Sequence, residues 1–559
     1  MKSPIEAIFF DVGGTLRTTE RYSEPISVNI EEILRLSGLS WTVPEMIEKL
    51  RQRERVYYRW GTLTMLELTE EELWSRWLLP EIPPERIKKI AIRLNQLWRD
   101  AKTKKTLMAD ATDTLKELLR RGYRLGVISN TTSSTEVPAL LEEMGIADQI
   151  ETVVLTTEHG RRKPHPSVFL TATKKLGITP DRAVYVGDRP SRDVVGAREA
   201  GIAQVIIIQV DGKEPEKEII RQKPDHTIRK LSELLDIFPE RDISNGKSKP
   251  GKVSPLYDCS ISTMWGIDRH EHFNEFFVEC RKLGFARFEL NHQISPERMA
   301  EIDFNRFHIN SLHEPCPVEI SLQEMDRRDW LISSPDEAKR AIAVAKAKQT
   351  IDQAVSLGCR YIVIHPGTTR VDRSKEKQLR DLYENGQVKS LEFISLQNDY
   401  ILERNHLVAP HLDSCIKSLK EIGEYAFKAG IAVGLENRYH YYDLPNIDEM
   451  QELLDLFDDD RWGFIYDVGH AHTLDRLGFF KHKEWLTRYG KRMIGAHLHD
   501  VVGLTDHQAP GSGEVDYAFV ASHLPISAFK VLEVMPSLTP AQISHGLECL
   551  AEYGCISKY

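Results

Sequence analysis

The chain has 559 residues, 41% apolar and 28% charged, with a formal net charge of −10. That length is too great for one hydrophobic core, and no apolar run approaches the ~18–20 residues of a membrane span. Charge is uneven: residues 1–250 carry 40 Lys+Arg against 38 Asp+Glu, and residues 251–559 carry 34 against 46, with 17 of the 20 histidines. An acidic, histidine-rich second half suits metal coordination and disfavours a nucleic-acid groove, which needs a basic stripe.

From the N-terminus, AIFFDV predicts a buried strand ending on Asp11, followed by Gly13-Gly14-Thr15. Its apolar stretch runs into this motif and not into a cleavage site, so a cytoplasmic protein is expected. A carboxylate at the C-terminal edge of a parallel sheet can act as nucleophile or metal ligand. Residues 20–105, rich in Glu, Leu, Arg and Trp, read as a helical insertion. Strands then alternate with helices: RLGVISN closing on Ser129, VVLTT, AVYVGD with Asp188, and AQVIIIQV; Lys163 lies in GRRKPHP and Asp193 follows in DRPSRD. This is a doubly wound α/β pattern. Pro239 to Pro255 is polar and Gly/Pro/Ser-containing, so it reads as a linker between domains at 1–238 and 256–559.

Beyond it, eight strand-like runs alternate with helices: YDCSIST, ARFELN, FHINSLH, YIVIHPG, AVGLENR, GFIYDVG, MIGAHLH and FKVLEV. Their number and spacing match a (β/α)8 barrel, whose active site lies where strands end. Five of the endings carry His365, Glu436, Asp467 with His470, His497 and Glu533. Ser334-Pro335-Asp336-Glu337 is expected to cap a helix with Ser334 as N-cap. Thr368 to His411 reads as a long charged specificity loop. The seven cysteines all lie in this half without a CxxC, as expected of reduced, buried thiols.

Asp11, Ser129, Lys163, Asp188 and Asp193, in this order, resemble the haloacid dehalogenase (HAD)-like hydrolases over residues 5–235. The resemblance implies that Asp11 attacks a phosphoryl group, that Ser129 and Lys163 hold its oxygens, and that Asp188 and Asp193 bind Mg2+ with Asp11. The helical insertion resembles that superfamily's cap. One position departs. Family phosphatases carry a second aspartate two residues after the nucleophile, where this chain has Gly13, and losing a positioned acid costs ~10²–10⁴ in rate.

The second half, in HPG, LEN, DVGHAH and HLHD followed by DHQAPGSGEVD, resembles the xylose isomerase-like TIM barrels. These include sugar isomerases, epimerases and type IV apurinic-site endonucleases. The resemblance implies Glu436, Asp467, His497 and Glu533 as ligands of Mn2+, Zn2+ or another divalent metal. His313, His365, His470 and His507 are further ligand candidates, as in the multi-zinc endonuclease branch. That branch has an aspartate where this chain has Thr505, with Asp506 adjacent. His292, His472 and His499 are expected to support the fold or the ligands.

Two chemistries follow. In a sugar isomerase or epimerase, Glu436 and Glu533 exchange a proton; in a phosphoester hydrolase, a zinc cluster activates water. Isomerase or epimerase chemistry on a sugar or small phosphorylated metabolite is the leading expectation, with a non-catalytic scaffold half as a third possibility. The sequence carries no signature of oligomeric state.

Overall fold

The computed structural model describes residues 4–209, 222–241 and 255–559. The interior of the expected linker lies outside these residues. The chain divides into two compact units, one ahead of residue 254 and one over residues 254–558.

The first unit is built on six parallel strands: β1 (Ala7–Phe10), β2 (Arg124–Ser129), β3 (Ile150–Leu155), β4 (Ala183–Gly187), β5 (Gln204–Ile208) and β6 (His226–Ile228), in the order β3-β2-β1-β4-β5-β6. The short strand β6, only three residues long, was not legible in the sequence. Apolar clusters cover both faces of the sheet, one around Phe10, Val127 and Val186, the other around Phe9, Phe169 and Tyr185. Strand β1 pairs with β2 on one side and β4 on the other, so chain order reverses there. A crevice opens at such a switch point, outside the strands' carboxyl ends.

The insertion is helical as expected, with its own core around Tyr57, Trp74 and Trp98. Its helices are α1 (Ser27–Ser37), α2 (Val43–Thr64) and α3 (Pro84–Lys102), and a capping box of Thr42 with Glu45 starts α2. Its ends are not helical: Arg17–Arg21 and Thr103–Leu107 form an antiparallel pair carrying the chain out and back. Their short, Thr-rich segments suit strands better than helix.

In the second unit all eight expected strands close into a parallel barrel: β7 (Ser260–Ser262), β8 (Arg287–Leu290), β9 (His308–His313), β10 (Tyr361–Ile364), β11 (Ala432–Glu436), β12 (Trp462–Asp467), β13 (Met493–Leu498) and β14 (Phe529–Leu532). Two expectations change. The N-cap of Glu337–Leu357 is Asp336, whose carboxylate accepts from Ala338 and Lys339 N–H; Ser334 instead donates to Asp329. The expected loop after Thr368 is two helices, Arg373–Glu384 and Leu391–Ala429, started by Asp372 and Ser390. All seven cysteines are free thiols, six of them buried. Among the described residues no helix is long and apolar enough to cross a membrane.

Candidate active sites

In the first unit β1 delivers Asp11, β2 delivers Ser129, and the turn after β4 delivers Asp188. Lys163 Nζ lies 2.9 Å from Asp11 Oδ1 and 2.8 Å from Asp193 Oδ1, and donates to the Tyr185 hydroxyl at 2.6 Å. The other Asp193 oxygen accepts the backbone N–H groups of Asp188 and Arg189 at 3.0 and 2.9 Å. Burial pushes the Asp193 carboxyl up, but Lys163 and Arg192 outweigh it and the net shift is downward. A Cβ on Gly187 would sit 2.4 Å from Asp193 Oδ2, so the glycine lets this carboxylate reach the strand end. Asp11, Asp188 and Asp193 each offer an oxygen within 4.8 Å of the others. Three hard carboxylate oxygens on one side of a lysine fit Mg2+, which takes one or two carboxylates plus substrate phosphate.

Asn130 was not singled out from the sequence, though it adjoins Ser129. Its side chain accepts from Lys163 N–H at 2.8 Å and donates to Lys163 C=O at 3.1 Å, tying the lysine to the end of β2. At Gly13 a Cβ would meet nothing within 4 Å. The absent acid leaves open space.

In the barrel, Glu436, Asp467, His497 and Glu533 converge as one buried set. His497 Nδ1 lies 2.7 Å from Glu436, 2.8 Å from Glu533 and 3.8 Å from Asp467. Burial disfavours a charged imidazole, yet Glu533, Glu289 and Glu436 hold its pKa well above the ordinary range. A proton there offsets the carboxylates that a cation would otherwise neutralise. Three buried carboxylates and one imidazole fit a divalent metal, since buried carboxylates without a positive partner are costly.

Three further sets adjoin, the last of them Asp467, His499 and His507. His365 Nε2 lies 2.6 Å and His313 Nε2 3.4 Å from Glu436 Oε2, so Glu436 belongs to both this trio and the quartet. Burial, Arg438 and His313 hold His365 well below its ordinary pKa, the neutral form a ligand needs. His470, Asp506 and His507 make the third set. Asp506 thus stands beside the histidines although Thr505 occupies the position the resemblance points to. His470 Nδ1 bonds to Asn437 C=O at 2.9 Å. His507 has a positive φ of 55°, uncommon outside glycine, and its N–H donates to His499 Nδ1 at 2.7 Å.

Glu289 and Asn437 support these sets, and His499, expected only to support the fold or the ligands, joins a set of its own with Asp467 and His507. Glu289 lies 3.2 Å from His497 Nε2 and accepts from Ser311 Oγ at 2.7 Å. Asn437 accepts from Asp467 N–H and donates to Asp467 C=O, clipping β11 to β12. His499 Nε2 contacts Asp467 at 3.0 Å, and Gly469 gives it room: a Cβ there would lie 2.3 Å from the His499 ring. His472 stacks on His482 and has no place in the four sets.

Residues 5–201 match the family described as haloacid dehalogenase-like hydrolase, and residues 395–553 match the xylose isomerase-like TIM barrel. The chain joins a HAD-like hydrolase unit to a xylose isomerase-like barrel. The HAD-like unit is similar to glyceraldehyde 3-phosphate phosphatase of Methanopyrus kandleri, 28% identical over 237 residues, covering 42% of this chain and 98% of that protein. The Methanocaldococcus jannaschii phosphatase of the same name is 35% identical over 124 residues, 22% of this chain and 53% of that protein. The barrel has a structural neighbour in a D-tagatose 3-epimerase-like protein, 22% identical, with a TM-score of 0.38, covering 53% of this chain and 96% of that one.

Proposed function

We propose that this protein is a two-site, metal-dependent enzyme acting on small phosphorylated carbohydrates, with a phosphatase in the HAD-like unit and a sugar or sugar-phosphate isomerase or epimerase in the barrel. The phosphatase reading is carried by Lys163, which contacts both Asp11 and Asp193. The relatives named glyceraldehyde 3-phosphate phosphatase support a small sugar-phosphate substrate. Asp11 attacks phosphorus, the ester P–O bond breaks, and water then releases phosphate from the carboxylate. Ser129 and Lys163 hold the phosphoryl oxygens. Mg2+ bound by Asp11, Asp188 and Asp193 would neutralise charge on the transferring group. Gly13 offers the leaving oxygen no proton, so turnover is expected to be slow. Mg2+-dependent phosphate release from sugar phosphates, abolished by Asp11→Asn, is the expected result; no turnover across a broad panel refutes it.

The barrel reading is carried by Glu436 and Glu533, both within 2.8 Å of His497 Nδ1 and both buried. A divalent cation on Glu436, Asp467, His497 and Glu533 would polarise adjacent oxygens of a hydroxy-ketone. The two glutamates then remove and return a proton on the carbon between them. In D2O, ketoses or their phosphates should take up deuterium at that carbon, and Glu533→Gln should stop the uptake.

The third ligand set, His470, Asp506 and His507, favours a second reading, a multi-zinc phosphoester hydrolase. One metal per barrel with deuterium uptake supports the isomerase. Three metals with incision of an abasic-site duplex at ~0.1 M salt support the hydrolase. If Glu436→Gln removes the metal and every activity survives, the barrel is a scaffold.

A further inference from the structure

Arg438 and His292 face the barrel site, and neither has a part in holding the cation or moving the proton. Arg438 follows Glu436 by two residues, and its side chain is 15% exposed. Its Nη1 donates to Glu436 Oε2 at 3.2 Å, the oxygen that also meets His365 and His313. Its Nε is buried without a hydrogen-bond partner among the described residues, with the Asp443 carboxylate 3.6 Å away. His292 sits with its ring 5.0 Å from that of His313 and 5.7 Å from that of His365, and its buried Nδ1 likewise has no hydrogen-bond partner.

A cation held by Glu436, Asp467, His497 and Glu533 would share the Glu436 carboxylate with this guanidinium. Once the cation draws on Glu436, the guanidinium keeps, among the described residues, only the Asp443 carboxylate at 3.6 Å and a buried Nε–H without a hydrogen bond. A further anion between the two positive charges is therefore favoured. Guanidinium is the side chain best matched to phosphate oxygens, which accept from two N–H groups at once. We propose that Arg438, assisted by His292, is the phosphate-holding residue of the barrel, so that its substrate is a phosphorylated sugar and not a neutral one. This rests on the metal-enzyme reading of the barrel.

The test uses the full chain carrying Lys163→Met and Asp188→Asn, which takes a phosphate-holding lysine and a cation ligand out of the HAD-like unit. It is loaded with Mn2+ and titrated calorimetrically with inorganic phosphate. One phosphate per chain is expected. Adding Arg438→Gln should weaken it by about tenfold or more with Mn2+ content unchanged, Arg438→Lys should weaken it less, and His292→Ala should weaken it measurably. Equal phosphate affinity with and without Arg438, or no phosphate binding at all, overturns the proposal while leaving the metal reading standing. Loss of Mn2+ in both Arg438 variants also overturns it, because the arginine would then build the ligand set. A parent chain that holds no Mn2+ overturns the metal reading and the proposal together.

Discussion

Glu289 Oε1 lies 3.2 Å from Nε2 of His497, on the far side of the imidazole from the Nδ1 that meets Glu436 and Glu533. A carboxylate behind a ligand histidine fixes the ring's tautomer and orientation and raises its basicity. Glu289 is itself held by Ser311 from the next strand. A fixed carboxylate thus faces the ring at ion-pair distance, poised to accept its N–H when the other nitrogen holds a metal. Glu289→Gln should therefore weaken divalent-metal affinity of the barrel by ~10–100-fold. Metal titration of the purified full chain checks it; unchanged affinity would remove Glu289 from the site.

At Gly13 the missing acid and the space around it suggest a gain-of-function test. A Cβ there meets nothing within 4 Å, so an aspartate side chain starts in open space. Gly13→Asp is expected to raise phosphatase turnover by ~10²-fold, the scale of a positioned general acid, with little change in melting temperature. A stable variant that is no faster shows that the acid already comes from elsewhere.

Glu136 links acid sensitivity to the base of the insertion. Its carboxylate pairs with Arg17 at 3.0 Å and with Arg99 and Lys105. Burial pushes the carboxyl up, and Arg99, Arg17 and Lys105 outweigh it, leaving a pKa of about 2. A depressed pKa contributes stability above the unfolded value of about 4.5 that is lost as pH falls towards 2. Glu136→Gln should lower the melting temperature of the HAD-like unit at pH 7, corresponding to at most about 3 kcal/mol. The gap to the parent should shrink as pH drops below about 4.5. Calorimetric scans of both proteins from pH 7 to pH 3 decide it, and a gap that stays constant with pH would contradict the ion-pair account.

The strands and their ligand-bearing ends were legible because a run of β-formers stopping on a carboxylate or imidazole has a periodicity and an ending that local sequence carries. Asp11, Lys163 and Asp193 lie together in one unit, and Glu436, Asp467, His497 and Glu533 in the other. Glu289 is hidden because ARFELN carries it inside the strand, one residue before its end at Leu290, and only closure of the barrel brings that glutamate to His497. Asn437 was read as part of LEN, yet its clip on Asp467 depends on neighbouring strands in register. The helices after Thr368 were missed because their charged surfaces hide a narrow apolar stripe, with Leu379, Phe393 and Tyr400 buried. Asp506 was doubtful on spacing alone. The strand Thr505–Gln508 carries Asp506, and not Thr505, to within 3.9 Å of His470 Nε2.

Glu436, Asp467 and Glu533 are all buried within one set, so metal removal should reach the stability of the barrel. Without a cation the carboxylates depend on imidazoles for compensation: burial pushes the Glu436 carboxyl up, while His497 and a hydrogen bond from His313 hold it well below the usual range. Glu533 is likewise held low, chiefly by His497 against burial. A ligand that binds only the folded state adds about 2.7 kcal/mol at a hundredfold excess over its Kd. Chelation should therefore lower the barrel's melting transition by several degrees, and Mn2+ or Zn2+ should restore it. In Glu436→Gln the response to chelator should largely vanish, because that residue serves two of the ligand sets. A chelator shift of equal size in Glu436→Gln would place the bound metal elsewhere.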